Sequence, residues 1–151
     1  MALCEKLIKE NSENYCIIRP SYLYGYSLGI IDERLAEYSK ALAQGAGLER
    51  FCDMYKGPLD VNQVAEIVLK LSLSDYIGLV HVAGPRKSVY DFTKEAVDAL
   101  GISTEKLVGT LMPKDQPTKF LRDTSMAYAL MIKLTGIEPL GVRESILKYK
   151  P

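Results

Sequence analysis

Residues 15–25 read Tyr-Cys-Ile-Ile-Arg-Pro-Ser-Tyr-Leu-Tyr-Gly, and this stretch decides the fold class. Tyr15-Cys16-Ile17-Ile18 is short and continuously apolar, the pattern of a strand buried on both faces of a parallel sheet. Arg19-Pro20 ends it, because proline cannot donate to a strand ladder. Residues 21–29 follow as a loop with three tyrosines and two glycines. In an open α/β sheet, ligands bind beyond the carboxyl ends of the strands. If the sheet is parallel, Arg19, Ser21, Tyr22, Tyr24 and Tyr26 lie where a ligand would be met. A packed surface loop is the alternative reading.

Working outward, residues 1–10 have the apolar spacing of a helix, with Ala2, Leu3, Leu7 and Ile8 among Glu and Lys. No capping residue precedes it, which suggests a missing upstream segment, although an initiator methionine would look the same. Downstream, residues 30–42 form an amphipathic helix stopped at Gly45. Residues 48–51 suit a strand and 53–59 a loop. Asp60 or Asn62 caps a helix with Val64, Ala65, Val68, Leu69 and Leu71 on its inner side. Residues 79–83 are another apolar strand. Ser88 and Asp91 resemble a capping box opening a helix that runs to Gly101. Residues 107–111 are strand or irregular, and Met112 to Arg122 is a surface loop. Helices over 124–135, with Met126, Leu130 and Leu134 as its stripe, and over 142–149 complete the chain. Alternating short strands and helices without a linker give the α/β class or its α+β relative, as a single compact unit over residues 1–151.

The 151 residues are 48% hydrophobic, enough for one sizeable core, and exclude collagenous, mucin-like and disordered classes. Nineteen basic residues balance nineteen acidic ones, which argues against nucleic acid as a partner. No apolar run is long enough to span a membrane, and the charged first residues do not read as a signal peptide. Three cysteines at 4, 16 and 52, with no C-x-x-C pair, fit reduced thiols in a cytoplasmic protein. Ten tyrosines against three phenylalanines and no tryptophan imply that some rings line a polar groove.

Several motifs dissolve on inspection. Gly45-Ala46-Gly47 follows a helix and meets Arg50 where a dinucleotide fingerprint needs its third glycine, so it is a helix end. Tyr90-x-x-x-Lys94 has the spacing that lets an ammonium depress a phenol pKa, but a chance pair in the first turns of a helix is the simpler reading. His81, the single histidine, sits between valines and lacks partners at metal-ligand spacing. Lys114, Lys119 and Arg122 could meet a phosphate or could form a solvated loop.

Four segments in order, EKLIKENSENYCIIRPSYLYG, GPLDVNQVAEIVLKL, GLVHVAGPRKSVYDFTKEAVDALG and RDTSMAYALMIKLTG, resemble the extended short-chain dehydrogenase/reductases over nearly the whole chain. The nearest subgroup is the dTDP-4-dehydrorhamnose reductases and their sugar-nucleotide relatives. The resemblance implies a partial Rossmann-like parallel sheet plus a small C-terminal substrate-binding lobe. Residues 1–60 would be the last part of the sheet and 61–151 mostly the lobe.

By that resemblance Pro20 and Ser21 lie near the nicotinamide of NAD or NADP. Arg19, Tyr22, Tyr24, Tyr26, Lys119 and Arg122 face a nucleotide sugar. Gly57-Pro58 matches the proline region before the next helix, and Gly84 and Ser88 a strand end and helix start in the lobe. The family's Gly-rich loop, catalytic hydroxyl and Tyr-x-x-x-Lys all precede the position of Glu5, and the catalytic lysine would fall on Met1. The resemblance therefore implies the C-terminal half of such a protein, inactive alone, without a catalytic residue of its own and binding no dinucleotide by itself. In an intact parent the reaction would be hydride transfer to a 4-keto sugar, with a tyrosine outside this chain as proton donor. The alternatives are an epimerase or dehydratase relative, or a non-catalytic scaffolding relative like the regulatory subunit of methionine adenosyltransferase. A sheet lacking strands would also expose a face for self-association or a partner protein.

Overall fold

The structure, a computed structural model, describes residues 2–113 and 121–151. The element order is α1 (Ala2–Asn11), β1 (Cys16–Pro20), β2 (Leu23–Tyr24), β3 (Tyr26–Ser27), β4 (Ile30–Ile31), α2 (Glu33–Ala43) and β5 (Leu48–Phe51). There follow β6 (Tyr55–Lys56), β7 (Leu59–Asp60), α3 (Val61–Ser72), β8 (Gly78–Val82), β9 (Lys87–Ser88) and α4 (Val89–Ala99). β10 (Leu107–Thr110), α5 (Ala129–Thr135) and α6 (Val142–Tyr149) close the chain. Among the described residues no helix is long and apolar enough to cross a membrane.

β1 pairs in parallel with β8, from Cys16 opposite Gly78 to Pro20 opposite Val82. β5 pairs in parallel with β10, from Leu48 opposite Leu107 to Phe51 opposite Thr110. Each pair takes one strand from either side of residue 60. Alternation along β1 and β8 sends Cys16, Ile18, Val80 and Val82 to one side, where they pack with Ile67 and Leu71 of α3 and Met131 of α5. Ile17 and Arg19 belong to the opposite face, and there Glu5 of α1 meets Arg19. Helices thus lie on both faces, as a parallel sheet requires. Proline 20 is tolerated as the last residue of its strand.

The second core joins the tyrosine loop to the C-terminal helices. Tyr24, Tyr26, Leu35, Phe92, Ala96, Val142 and Ile146 are buried together. Phe92 receives the edges of both Tyr22 and Tyr24, each with ring centroids 5.1 Å away.

Capping explains most helix boundaries. Asp60 starts α3, its side chain accepting from the Asn62 amide at 2.8 Å. Ser88 starts α4, accepting from the Asp91 amide at 3.0 Å and donating its own proton to the Asp91 carboxylate at 2.6 Å. Gly136 closes α5 in the left-handed conformation, with φ of +68°.

Two helix starts, two loops and one helix face depart from the sequence reading. Helix α2 begins at Glu33 rather than near Ile30, because Ile30–Ile31 pairs with Tyr26–Ser27 and Asp32 supplies the cap. The loops over 21–29 and 53–59 contain short strands whose partners lie far away in sequence, β2 on β7 and β6 on β9. The buried side of α3 is Gln63, Ile67 and Leu71, while Leu69 is 61% exposed. Gln63 is held inward by donating to the Glu138 carbonyl and accepting from the Leu140 amide. Helix α5 starts at Ala129 instead of Thr124, because Thr124 donates its amide to the Tyr55 carbonyl. Met112 is buried and Arg122 described, while residues 114–120 of the expected surface loop lie outside the described residues.

Behind the end of β1, two loops cross at glycines. A Cβ on Gly84 would stand 1.9 Å from the Pro58 carbonyl oxygen, and one on Gly57 2.9 Å from the Gly84 oxygen. Gly84 donates its amide to Gly57 at 3.2 Å. Substituting Gly84→Ala forces backbone against backbone and is expected to cost about 2–3 kcal/mol, the upper range for overpacking. Gly47→Ala, where a Cβ meets nothing within 4 Å, is the control expected to change stability little. Urea unfolding of both variants measures the difference.

Candidate functional site

The carboxyl end of β1 opens on a cavity of about 350 Å³ lined by Pro20, Ser21, Tyr22, Lys56, Thr124 and Met126. The backbone of each wall is fixed by hydrogen bonds. Ser21 donates its amide to the Val82 carbonyl at 2.9 Å, extending the β1–β8 ladder by one bond. Leu59 donates to the Tyr22 carbonyl at 2.9 Å, drawing the 56–59 loop alongside. Tyr55 donates to the Arg122 carbonyl at 2.6 Å and accepts from the Thr124 amide at 3.1 Å, and this holds Thr124 and Met126 against the opening.

Charged side chains brace the far wall. Arg122 pairs with one oxygen of Asp53 at 2.8 Å, and the other oxygen accepts the Met112 amide at 2.8 Å. Arg86 pairs with Asp123 at 2.8 Å and stacks on Tyr55, its guanidinium carbon 3.3 Å from the ring centroid. The Ser125 hydroxyl, the Arg86 guanidinium and the Ser125 amide together pull the Asp123 carboxyl down to about 2.

The expected site residues separate into three groups. Pro20, Ser21 and Tyr22 stand together in the cavity. Burial pushes the Tyr22 phenol up to about 12, against the opposing field of Arg34, whose guanidinium lies over the ring at 4.2 Å. The phenol therefore keeps its proton at neutral pH. Tyr24 and Tyr26 lie in the core, 2% and 9% exposed, and the Tyr24 hydroxyl shares a 2.6 Å hydrogen bond with Ser145.

Arg19 and Arg122 form the third group. Arg19 donates from Nε and Nη2 to the two oxygens of Glu5 at 2.7 and 2.5 Å, so its fork is committed to α1. Arg122 is committed to Asp53. Lys114 and Lys119 lie outside the described residues, as does Met1.

Lys56, Thr124 and Met126 are the lining residues that sequence reasoning did not assign to a site. Lys56 is the single charged side chain among the residues lining the cavity, and no ion pair among the described residues engages it. Its signal was a lysine directly before the Gly57-Pro58 turn. A cavity lined by a lysine together with Ser21 and Thr124 suits an oxygen-rich, anionic or polyhydroxylated ligand.

The remaining motifs lie elsewhere. Lys94 lines a separate cavity with Asp91, Glu95 and Asp98, and Tyr90 packs beside Leu42, Val97 and Leu107. Gly45 follows α2 with φ of +79°, as a helix end does. His81 stands opposite Arg19 in the ladder. The three cysteines are free, Cys4 exposed and the other two half-buried. Among the described residues no three His, Cys, Asp or Glu side chains converge as a metal site would need.

No protein-family model and no curated protein matches the chain. Solved structures do. A dTDP-4-dehydrorhamnose reductase from Bacillus anthracis, solved in complex with NADP, superposes with a TM-score of 0.78 at 17% identity, over 96% of this chain and 51% of that one. A dTDP-4-dehydrorhamnose reductase from Clostridium acetobutylicum gives 0.75 at 23% identity, over 96% and 51%. The UDP-glucose 4-epimerase of Thermotoga maritima, solved with UDP-glucose, gives 0.70 at 15% identity, over 99% and 48%. The chain spans about half the length of these structures, and at such identities the likeness establishes the fold. The partial Rossmann-like α/β architecture expected from the sequence is the one these proteins share with it.

The Asp123 brace has a defined pH dependence. A carboxyl whose folded pKa lies below its ordinary value of about 3.9 contributes stability that is complete above that value. The contribution is lost as pH falls through about 2, the folded value. Carboxyl-carbon NMR titration of Asp123 is expected to show a midpoint near 2, raised toward the ordinary value in both Ser125→Ala and Arg86→Ala. An ordinary midpoint in the unaltered chain would refute the brace.

Proposed function

We propose that the chain is the substrate-binding half of an NAD(P)-dependent, dTDP-4-dehydrorhamnose reductase-like protein, and that its cavity takes the sugar end of a nucleotide sugar. The observation that carries this reading is the cavity itself. It opens at the carboxyl end of a parallel strand pair, in a fold shared with reductases and epimerases, and its lining combines Ser21, Tyr22, Lys56 and Thr124. Ser21, Lys56 and Thr124 would supply hydrogen bonds to ligand oxygens, and Tyr22 would contribute to the wall beside them.

Pro20 and Ser21 form the edge next to which a nicotinamide would lie. The 151 residues fit that one edge and not the rest of a dinucleotide. Among the described residues no Gly-rich turn joins a strand to the start of a helix, and Gly45 and Gly47 follow α2. The chain by itself is therefore proposed to bind the sugar nucleotide and not NADPH, and no hydride step is assigned to its residues. Arg19 and Arg122 contribute by holding α1 and the 122–126 segment in place. Tyr24 and Tyr26 contribute by fixing the loop that carries Tyr22.

Titration calorimetry of the purified chain with dTDP-glucose, UDP-glucose and NADPH tests the proposal. A nucleotide sugar is expected to bind and NADPH alone to give no heat of binding. Lys56→Ala removes a charge-assisted contact worth about 1.5–3 kcal/mol, so affinity should fall tenfold or more. Tyr22→Ala should weaken binding similarly. Folded protein that binds none of the three would favour the second reading, a non-catalytic scaffolding relative. That reading draws on Leu3 and Leu7 of α1 and Leu69 of α3, all more than 45% exposed.

A further inference from the structure

Asp60 is a carboxylic acid only 1% exposed, and no ion pair among the described residues engages it. Its Oδ1 caps α3, accepting from the Asn62 amide at 2.8 Å and from the Asn62 side-chain nitrogen at 3.0 Å. The same nitrogen donates to the Tyr26 carbonyl at 2.9 Å, which ties the cap to the loop over 22–27. Oδ2 finds no hydrogen-bond partner among the described residues. It lies instead against Gly25, where a Cβ would stand 2.2 Å from it. Gly25 turns the loop at φ of +114°, a conformation that suits glycine.

The groups around Asp60 do not neutralise it. Across the β2–β7 pair stands Tyr24, its phenol bonded to Ser145 of α6. Of α6, which packs on β7, Lys148 acts on the carboxyl from a distance, while Arg143 is paired with Asp98. Asp32, at the start of α2, is a second carboxylate at Gly25 and accepts its amide at 3.3 Å. Burial pushes the Asp60 carboxyl above its usual range, against the Asn62 and Gln63 bonds and the field of Lys148. An ionised oxygen without a partner is costly in a dry interior, and the cost is relieved by keeping a proton or by meeting water. The loop is the part that can give way, because its strand β2 has two residues and its turn is a glycine.

We propose that Asp60 is a proton-operated pin for the loop over 22–27: neutral, it keeps Gly25 seated against the start of α3, and ionised, it draws water to Oδ2 and lifts the loop. Tyr22 lines the cavity from that loop, so the wall of the site loosens with it, whatever the ligand. Ionisation is resisted only in the closed form. Opening is therefore least at low pH, grows by up to about tenfold per pH unit above the ordinary carboxyl value of about 3.9, and levels off once the closed form is ionised.

Carboxyl-carbon NMR titration and hydrogen exchange on the unaltered chain test it. Asp60 is expected to titrate above the ordinary value, and the Gly25 amide shift to follow the same midpoint. The Asp32 and Leu59 amides donate to the Gly25 and Tyr22 carbonyls and report whether the loop is closed. Their protection, corrected for the intrinsic rate, should fall by about tenfold for each unit that the Asp60 midpoint exceeds the ordinary value. Asp60→Asn keeps the shape of the neutral form and still caps a helix, so its protection should stay high and level with pH. Asp32→Asn should keep the parent's course. An ordinary Asp60 midpoint overturns the proposal, as does protection that ignores pH, and both are read without any variant. So does an Asp60→Asn variant that follows the parent's course, or an Asp32→Asn variant that loses it, since the proton would then sit on another group.

Discussion

The carbonyl of Pro58 occupies the space where any residue but glycine at position 84 would carry a Cβ. This close approach is the constraint on which the site depends. It lets the chain leaving β8 pass directly under the loop between β6 and β7, and the Gly84 to Gly57 hydrogen bond pins the crossing. From that point Leu59 reaches the Tyr22 carbonyl and Ser21 reaches the Val82 carbonyl. Pro20, Ser21 and Tyr22 on one wall and Lys56 on the other are therefore set at a fixed spacing by backbone alone. Side-chain packing then refines a geometry that the crossing has already imposed.

The charge balance of the sequence acquires a meaning in the structure. Most of the arginines considered for ligand binding or lying near the cavity are spent on carboxylates of the chain itself: Arg19 on Glu5, Arg86 on Asp123, Arg122 on Asp53. Exposed pairs of this kind add little to global stability. Their effect is positional. Glu5 with Arg19 ties α1 to the last turn of β1 before the cavity, and Asp53 ties Arg122 to the Met112 amide. A lysine, with its compact and mobile ammonium, is the cation left facing the cavity.

Strands β1 and β8 and the start of α4 were legible because each rests on a local rule. An apolar run bounded by Pro or Gly gives β1 and β8, and Ser88 with Asp91 gives the start of α4. The two-residue strands were not legible, since no periodicity fits in two residues and their partners are remote. Tyr24 shows the same limit. The strand-end rule placed it where a ligand would be met, whereas its hydroxyl partner is Ser145, 121 residues away and itself buried. Of the cavity residues, Ser21 and Tyr22 followed from the strand-end rule, and Pro20 from the family resemblance. Lys56, Thr124 and Met126 did not, because long-range pairing with Tyr55 and the glycine crossing bring them there. On α3, the amide of Gln63 turns a polar residue inward by finding two backbone partners, which hydropathy alone counts as exposed.

The reach of Tyr24 to Ser145 bears on how the chain is made. Tyr24 precedes Ser145 of α6 by 121 residues, yet Tyr24, Phe92 and Ile146 belong to one cluster. Neither parallel pair closes until its second strand has emerged, and parallel pairing between distant segments is slow to nucleate. Until α6 has emerged, the aromatic side of the loop lacks part of its cover, and the nascent chain carries an adhesive patch. Emergence of α6, after both parallel pairs have their strands, is then the step that closes this cluster.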